Sequence, residues 1–208
     1  MGRYLESKCK QCLREHQKLF LKGDRCFSGK CAFTRRNGAL PGSSKYMYRR
    51  TSDFAVQFRE KQKIKRIYGL LEKQFRRYYA LANRKTGDTG YNLLAFLELR
   101  LDNVVFKMGY TPNRTTARQL ITHGHFLVNE KSNNIPSSIL KVGDTVSVKL
   151  SSQDNNYFKD NTAKNEIKYP KWIKFDSKKN TGTVVGIPSK DDMDPSLQPN
   201  LVVEYYSR

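Results

Sequence analysis

The chain of 208 residues sets 39 lysines and arginines against 19 acidic residues, a formal net charge of +20. Such a chain repels itself, and a large polyanion is the expected partner. Hydrophobic residues make up 38% of it, enough for a core, while no run approaches the ~20 apolar residues of a membrane span. The excess is uneven: residues 1–100 hold 24 basic against 8 acidic side chains, residues 101–208 hold 15 against 11, so the first half is the main electrostatic surface.

Every cysteine lies within CKQCLREHQKLFLKGDRCFSGKC, from Cys9 to Cys31. The segment before Leu19–Leu21 has no signal-peptide pattern, so a cytosolic chain with reduced thiols is expected. The spacing Cys9-x2-Cys12-x13-Cys26-x4-Cys31 offers two thiolates from each of two turns, the arrangement of a closed structural zinc site. Two disulfides, or plain burial of small apolar thiols, are the alternatives. His16, inside the loop, reads as a surface or RNA-facing residue rather than a ligand.

Next, RRNGALPGSSKYMYRRTSD (Arg35 to Asp53) reads as an irregular basic loop. A helix is predicted from Ser52 or Asp53, either of which can cap it. Ile64, Ile67, Tyr68, Leu71, Phe75 and Tyr78 recur at helical spacing on a face expected to be buried. Arg59, Lys63, Arg66, Lys73 and Arg77 form a basic stripe on another, with Glu60 and Glu72 as the few intervening acids. Gly69 is expected to split the run, and Gly87 to stop it before a helix capped by Thr89 and carrying Leu93, Leu94, Phe96, Leu97 and Leu101.

Asn113 can cap a short helix with Ala117, Leu120 and Ile121 facing inward, ended by Gly124 in the left-handed conformation. HFLVN then reads as a strand, EKSNN as a turn and DTVSVKL as a second strand. This unit would project Arg114, Arg118 and His123 from one helix edge, where a phosphate backbone could lie. Residues 151–180 read as a polar excursion around an apolar island, Trp172 to Phe175, and TGTVVGIP as another strand. LVVEYYSR is too apolar for a disordered tail but fits helix and strand equally.

No catalytic constellation emerges: there is no P-loop, no His-Glu zinc-protease helix and no G-x-S-x-G turn. His123 and His125 flank Gly124 and should point to opposite sides of a turn, a poor pair of ligands for one metal. Tyr46, Tyr48 and Tyr110 could stack on bases, though burial is the commoner reason for a tyrosine.

FREKQKIKRIYGLLEKQFRRYYALA, LRLDNVVFKMGYTPNRTTARQLITHGHFLVN and IPSSILKVGDTVSV together resemble the bacterial small-subunit ribosomal protein S-four family. LVVEYYSR resembles its C-terminal ending, and the four cysteines resemble the zinc knuckle of some members, with Cys9, Cys12, Cys26 and Cys31 holding one Zn2+. The resemblance implies an α+β protein: a zinc-binding and helical domain over residues 1–98, joined by 195–208, and an RNA-binding module with a strand-rich insertion over 99–194. It implies a non-enzymatic, cytoplasmic role in the small ribosomal subunit, binding rRNA at a multi-helix junction early in assembly and affecting translational accuracy. The implied partners are that rRNA, the neighbouring protein S-five and mRNA where it enters the subunit, with no membrane, DNA or small-molecule substrate.

The module residues implied are Arg114, Arg118, Gln119, His123, Gly124, His125 and Asn129, and the mRNA-side residues are Lys45, Arg49 and Arg50. Arg3, Lys10, Arg14, Lys22, Arg35, Arg36 and Arg100 join the stripe residues as rRNA-binding candidates. Two departures stand out. PGSSKYMY replaces the family's Gln-His-Gly turn, and Asn129-Glu130 replaces its Asn-Gly, so that hairpin needs another turn type or carries strain. The same module also occurs in RNA-modifying enzymes and a tRNA synthetase, but those need a large catalytic domain. A zinc-finger DNA reader would need a helix close after the cysteines, where a Gly/Pro-rich loop stands instead.

Overall fold

A computed structural model describes residues 4–39, 52–153, 155, 157–158, 169–176 and 179–208. The chain forms two compact units, Met1–Leu93 with Pro195–Arg208, and Leu94–Asp194.

In the first unit, α1 (Lys8–Arg14) buries Gln11, Cys12 and Leu13. The chain then turns through His16, Phe20 and Gly23, all at positive φ, into a 3-10 turn (Gly23–Cys26) and α2 (Ala32–Arg35). Helix α3 (Asp53–Ile67) starts where expected: Ser52 caps it by accepting from the Ala55 N–H. It ends as expected too, at Gly69 with φ 63°. The Leu70 N–H donates to Lys65 O and the Gly69 N–H to Arg66 O, which close the last turn. Helix α4 (Glu72–Arg84) buries Phe75, Tyr78 and Ala82. Ile64, Ile67 and Tyr68 are buried as their spacing predicts, but Leu71 is 42% exposed because it sits at the break between the helices.

Helix α5 (Thr89–Glu98) is capped by Asp88 rather than Thr89: its carboxylate accepts from the Gly90 and Tyr91 N–H groups. Leu101 does not continue that helix but opens α6 (Leu101–Lys107).

In the second unit α6 is followed by α7 (Arg114–Thr122), β1 (Phe126–Val128), β2 (Lys131–Ser132), β3 (Thr145–Val148) and α8 (Leu150–Gln153). Strands β4 (Ile173–Asp176) and β5 (Thr181–Val184) complete an antiparallel sheet in the order β2-β1-β3-β5-β4. The apolar island near Trp172 is thus an outer strand. Fully buried Leu101, Val104, Val105, Met108, Ile121, Phe126, Val146 and Val184 form the core between α6, α7 and the sheet. A Cβ on Gly182 would overlap the Met108 thioether, which is why a strand residue there is glycine.

The β1–β2 turn lies at Asn129-Glu130, with φ of 49° and 65°, rather than over EKSNN. Two positive φ values make a primed turn whose twist suits a hairpin. The strain foreseen for a non-glycine pair therefore rests on Glu130, because asparagine tolerates this region better.

The C-terminal segment is a helix, α9 (Pro199–Tyr206), with proline in its first turn, and it packs on α3. Gln57 Nε2 donates to Glu204 at 2.8 Å, and the Gln198 N–H donates to Glu60 at 2.8 Å.

Candidate nucleic-acid interface

In the second unit the edge of α7 is set by the sequence Leu99-Arg100-Leu101-Asp102-Asn103. Arg100 precedes α6, and Asp102 and Asn103 occupy its first turn. The Asp102 carboxylate accepts from Arg100 Nε at 3.0 Å and Nη2 at 2.7 Å, and from Arg118 Nε at 3.1 Å and Nη2 at 2.6 Å. Asn103 accepts from Arg114 Nε at 2.8 Å and donates to the Glu98 carbonyl and carboxylate at 2.8 and 2.7 Å. Arg114 also lies 4.7 Å over the Phe106 ring.

Arg100, a candidate RNA contact by sequence, is therefore an internal residue. Its side chain is wholly buried, and its guanidinium serves the core carboxylate. Arg118, 11% exposed, is fixed by the same carboxylate. Arg114, Gln119 and His123 remain at the surface or half-buried along the helix.

Asn113 caps α7 through the Thr115 and Thr116 N–H groups, as its position predicts, and Gly124 follows the helix with φ 77°. The two histidines do not diverge across the turn. Their rings lie 6.3 Å apart and nearly parallel, because His125 is held by Ser152 Oγ at 2.9 Å from Nδ1. Asn129 is engaged locally: it accepts from the Thr145 N–H at 2.9 Å and donates to Asp144 at 2.8 Å. Tyr110 is buried, donates to the Asn180 carbonyl at 2.7 Å and meets Phe126 edge-on, so no base can stack on it.

In the first unit the basic stripe divides. Arg59 and Arg66 both donate to Glu15, whose side chain is 2% exposed. Lys63 pairs with Glu60 at 2.7 Å and donates to the Ser196 carbonyl at 2.7 Å. Lys73 and Arg77 of α4, by contrast, are exposed and meet no carboxylate among the described residues. Arg76 and Arg84 share their face and exposure. The period of ~3.6 residues would have added both to the stripe. Glu15 had no local signal, since its partners lie 44 and 51 positions along the chain.

Burial pushes the Glu15 carboxyl up, against the pull of Arg66, Arg59 and Arg14. Glu72 goes the other way. Burial alone would raise it, but hydrogen bonds from Lys65, Lys61 and Tyr206 outweigh that and hold it at about 2.

Lys10, Arg14, Lys22, Arg35 and Arg36 are exposed, as is His16. Arg3, Lys45, Tyr46, Tyr48, Arg49 and Arg50 lie outside the described residues.

The four cysteines are free thiols, three of them buried in the small N-terminal module. Backbone N–H groups point at the sulfurs: Lys22 at Cys26, 3.4 Å away, Leu19 at Cys12, and Thr34 and Phe33 at Cys31. Burial raises the Cys12 thiol and the other three cysteines add to it, while the N–H donors lower Cys31. As placed, no three His, Cys, Asp or Glu side chains among the described residues are grouped closely enough to hold a metal ion.

Residues 3–98 match the ribosomal protein S4/S9 N-terminal domain and residues 99–146 match the S4 domain. The chain is 48% identical to the small ribosomal subunit protein uS4 of Syntrophomonas wolfei and 47% to that of Clostridioides difficile, over the full length of each protein. It is 50% identical to uS4A of Clostridium acetobutylicum, again with complete coverage of both. This chain belongs to the uS4 family. The uS4 domain boundary at residue 98 coincides with the end of α5, and the S4-domain match stops inside β3, so β4 and β5 lie beyond it. Among the described residues, no helix is long and apolar enough to cross a membrane.

Proposed function

We propose that this uS4 family member is a structural protein of the small ribosomal subunit that holds rRNA with the open cations of α4 and with the edge of α7. The observation that carries this reading is the α4 face: Lys73, Arg76, Arg77 and Arg84 are exposed and meet no carboxylate among the described residues. Such cations release counterions when phosphates replace water around them. The α7 edge adds arginines oriented in advance by Asp102 and Asn103, which suits fixed backbone contacts to a folded RNA. The role is cytoplasmic and non-catalytic, as the family implies.

Neutralising Lys73, Arg76, Arg77 and Arg84 together should flatten the dependence of rRNA affinity on salt. Each phosphate left without its cation should lower the log–log slope by roughly 0.7–0.9. The corresponding Arg59/Lys63/Arg66 triple variant should change that slope little and lower stability instead. Equal slope reductions in both variants would overturn the reading.

Four cysteines are the donor type that the zinc form of the family uses, and they would have to draw closer together than they lie here to share one ion. Cys9, Cys12, Cys26 and Cys31 would hold one ion as thiolates, and the N–H groups directed at three of the sulfurs would stabilise their charge. Zinc would supply a cross-link in a module whose apolar core is small. Elemental analysis of protein purified under reducing conditions should find one zinc per chain, and a metal-free, folded N-terminal module would refute it.

The resemblance also carries contacts with protein S-five and with incoming mRNA. For S-five the suited surface is a cleft of ~660 Å³ lined by Phe54, Phe58, Tyr205 and Tyr206 with a charged rim, the anatomy of a protein-binding patch. Substituting Phe54 and Tyr205 should weaken S-five binding and leave rRNA binding unchanged. For mRNA, replacing Lys45, Arg49 and Arg50 by alanine should slow translation through a stable hairpin while assembly proceeds. Normal hairpin passage would remove that role.

A further inference from the structure

We propose that an unpaired nucleotide of bound RNA stacks on the Phe20–Phe27 pair of the cysteine module; this rests on the rRNA-binding reading above and adds a site to it. The two rings are stacked, 5.1 Å between centroids with 27° between planes. Phe27 is 76% exposed and Phe20 46%, although their chain neighbours Leu19 and Cys26 are buried. Rings of this size normally go to the interior. The backbone places them outside by two local devices. Phe20 has φ of 50°, a left-handed conformation that a bulky residue keeps only where its surroundings impose it. Phe27 follows the 3-10 turn, its N–H donating to Asp24 O at 3.1 Å.

The surrounding charge selects the occupant. Residues 18–30 carry Lys18, Lys22, Arg25 and Lys30 against the single acid Asp24. Lys22, Arg25 and Lys30 are exposed, and none pairs with a carboxylate among the described residues. An apolar protein partner would have to cover these cations without compensating them. A single strand brings phosphates to the cations and an open base face to the rings, which is how sequence-tolerant nucleic-acid surfaces are built. The cleft lined by Phe54 and Tyr205 differs in that its Lys61 and Lys65 both pair with a carboxylate, that of Glu72.

The test uses the full-length protein and transcribed small-subunit rRNA, with affinity measured across a salt series. Phe27→Leu, Phe27→Trp and the double variant Phe20→Ala/Phe27→Ala are compared with the parent, and each variant's melting temperature is recorded. Phe27→Leu keeps an apolar side chain at an exposed position and should melt like the parent. The double variant should bind roughly 5- to 150-fold more weakly, the range for one stacked base. Its salt slope should be unchanged because no charge is removed, and Phe27→Trp should bind at least as tightly as the parent. Unchanged affinity in both Phe27→Leu and the double variant would overturn the site. So would weaker binding accompanied by a lower melting temperature in Phe27→Leu, which would make the rings structural. A parent that fails to bind the rRNA would overturn the broader reading and this site with it.

Discussion

Helices α3 and α4 are successive in the chain and both basic, yet Arg59, Lys63 and Arg66 of the first reach Glu15 and Glu60, while Lys73 and Arg77 of the second reach no carboxylate among the described residues. The difference is one of packing. The α3 cations sit where the cysteine module and the segment before α9 close over the helix, so their charges are met from within. The α4 cations lie on a face opposite Phe75, Tyr78 and Ala82, which are its buried residues. A count of lysines and arginines therefore overstates the field offered to RNA, because a paired cation adds little to it. In the second unit the same division separates buried Arg100, which belongs with the α3 group, from exposed Gln119 and His123.

The largest effect should come from the most deeply internal pair. Asp102→Ala removes the carboxylate shared by Arg100 and Arg118, whose side chains are 0% and 11% exposed. A destabilisation of about 3–5 kcal/mol is expected for breaking such a buried pair. Trp172, the single tryptophan, lies buried in the same unit, so its fluorescence in a urea titration reports the change. A change below about 1 kcal/mol would mean that Arg100 is not held by its charge.

Glu15→Gln tests the α3 side directly. Arg59 and Arg66 are 35% and 21% exposed and can turn partly to water, and burial already works against the ionised Glu15, so the expected cost of the neutral isostere is about 1 kcal/mol at most at neutral pH. It should show in the helical circular dichroism and leave the Trp172 transition in place. The variant should also steepen the salt dependence of rRNA binding, since two arginines lose their internal partner. An unchanged slope would show that packing alone withholds them.

How much of this was legible in the sequence depends on distance along the chain. Ser52, Gly69, Asn113 and Gly124 act on their own neighbours, and the structure places all four where the sequence did. The α+β class and the division into a domain over 1–98 with 195–208 and one over 99–194 come from the family resemblance instead of from these local signals. A charged side chain reads as surface, which is why the sequence puts Arg100 among the RNA contacts although its side chain is wholly buried. Its position between Leu99 and Leu101, both buried, with Asp102 two residues on, was the available clue. Glu15 offered none, since an acid among basic neighbours looks solvated until the fold brings α3 to it. For the tail LVVEYYSR the helix signal in the sequence is Pro199, which suits the first turn of a helix.

The smallest expected effect concerns Glu72, which belongs to α4 but faces back toward α3. Its carboxylate takes hydrogen bonds from Lys61, Lys65 and Tyr206 at 2.9 Å each. Held at about 2 against an ordinary 4.5, it contributes stability that is fully present above pH 4.5 and lost as pH falls toward 2. Glu15, displaced upward, acts with the opposite sign: its contribution is present at low pH and lost as pH rises through its raised value. Glu72→Gln should therefore lessen the fall in urea midpoint between pH 4.5 and 2 relative to the parent. At neutral pH the variant should lose less than about 1 kcal/mol, since the carboxylate is 41% exposed and screened by solvent. Lys61 moderates the effect further, because its ammonium also lies 4.9 Å from the Phe58 ring and 4.5 Å from the Tyr205 ring. Those rings continue to hold the cation when the carboxylate is gone. A parent and variant with the same acid profile would show that the aromatic cage, rather than Glu72, is what keeps Lys61 inside.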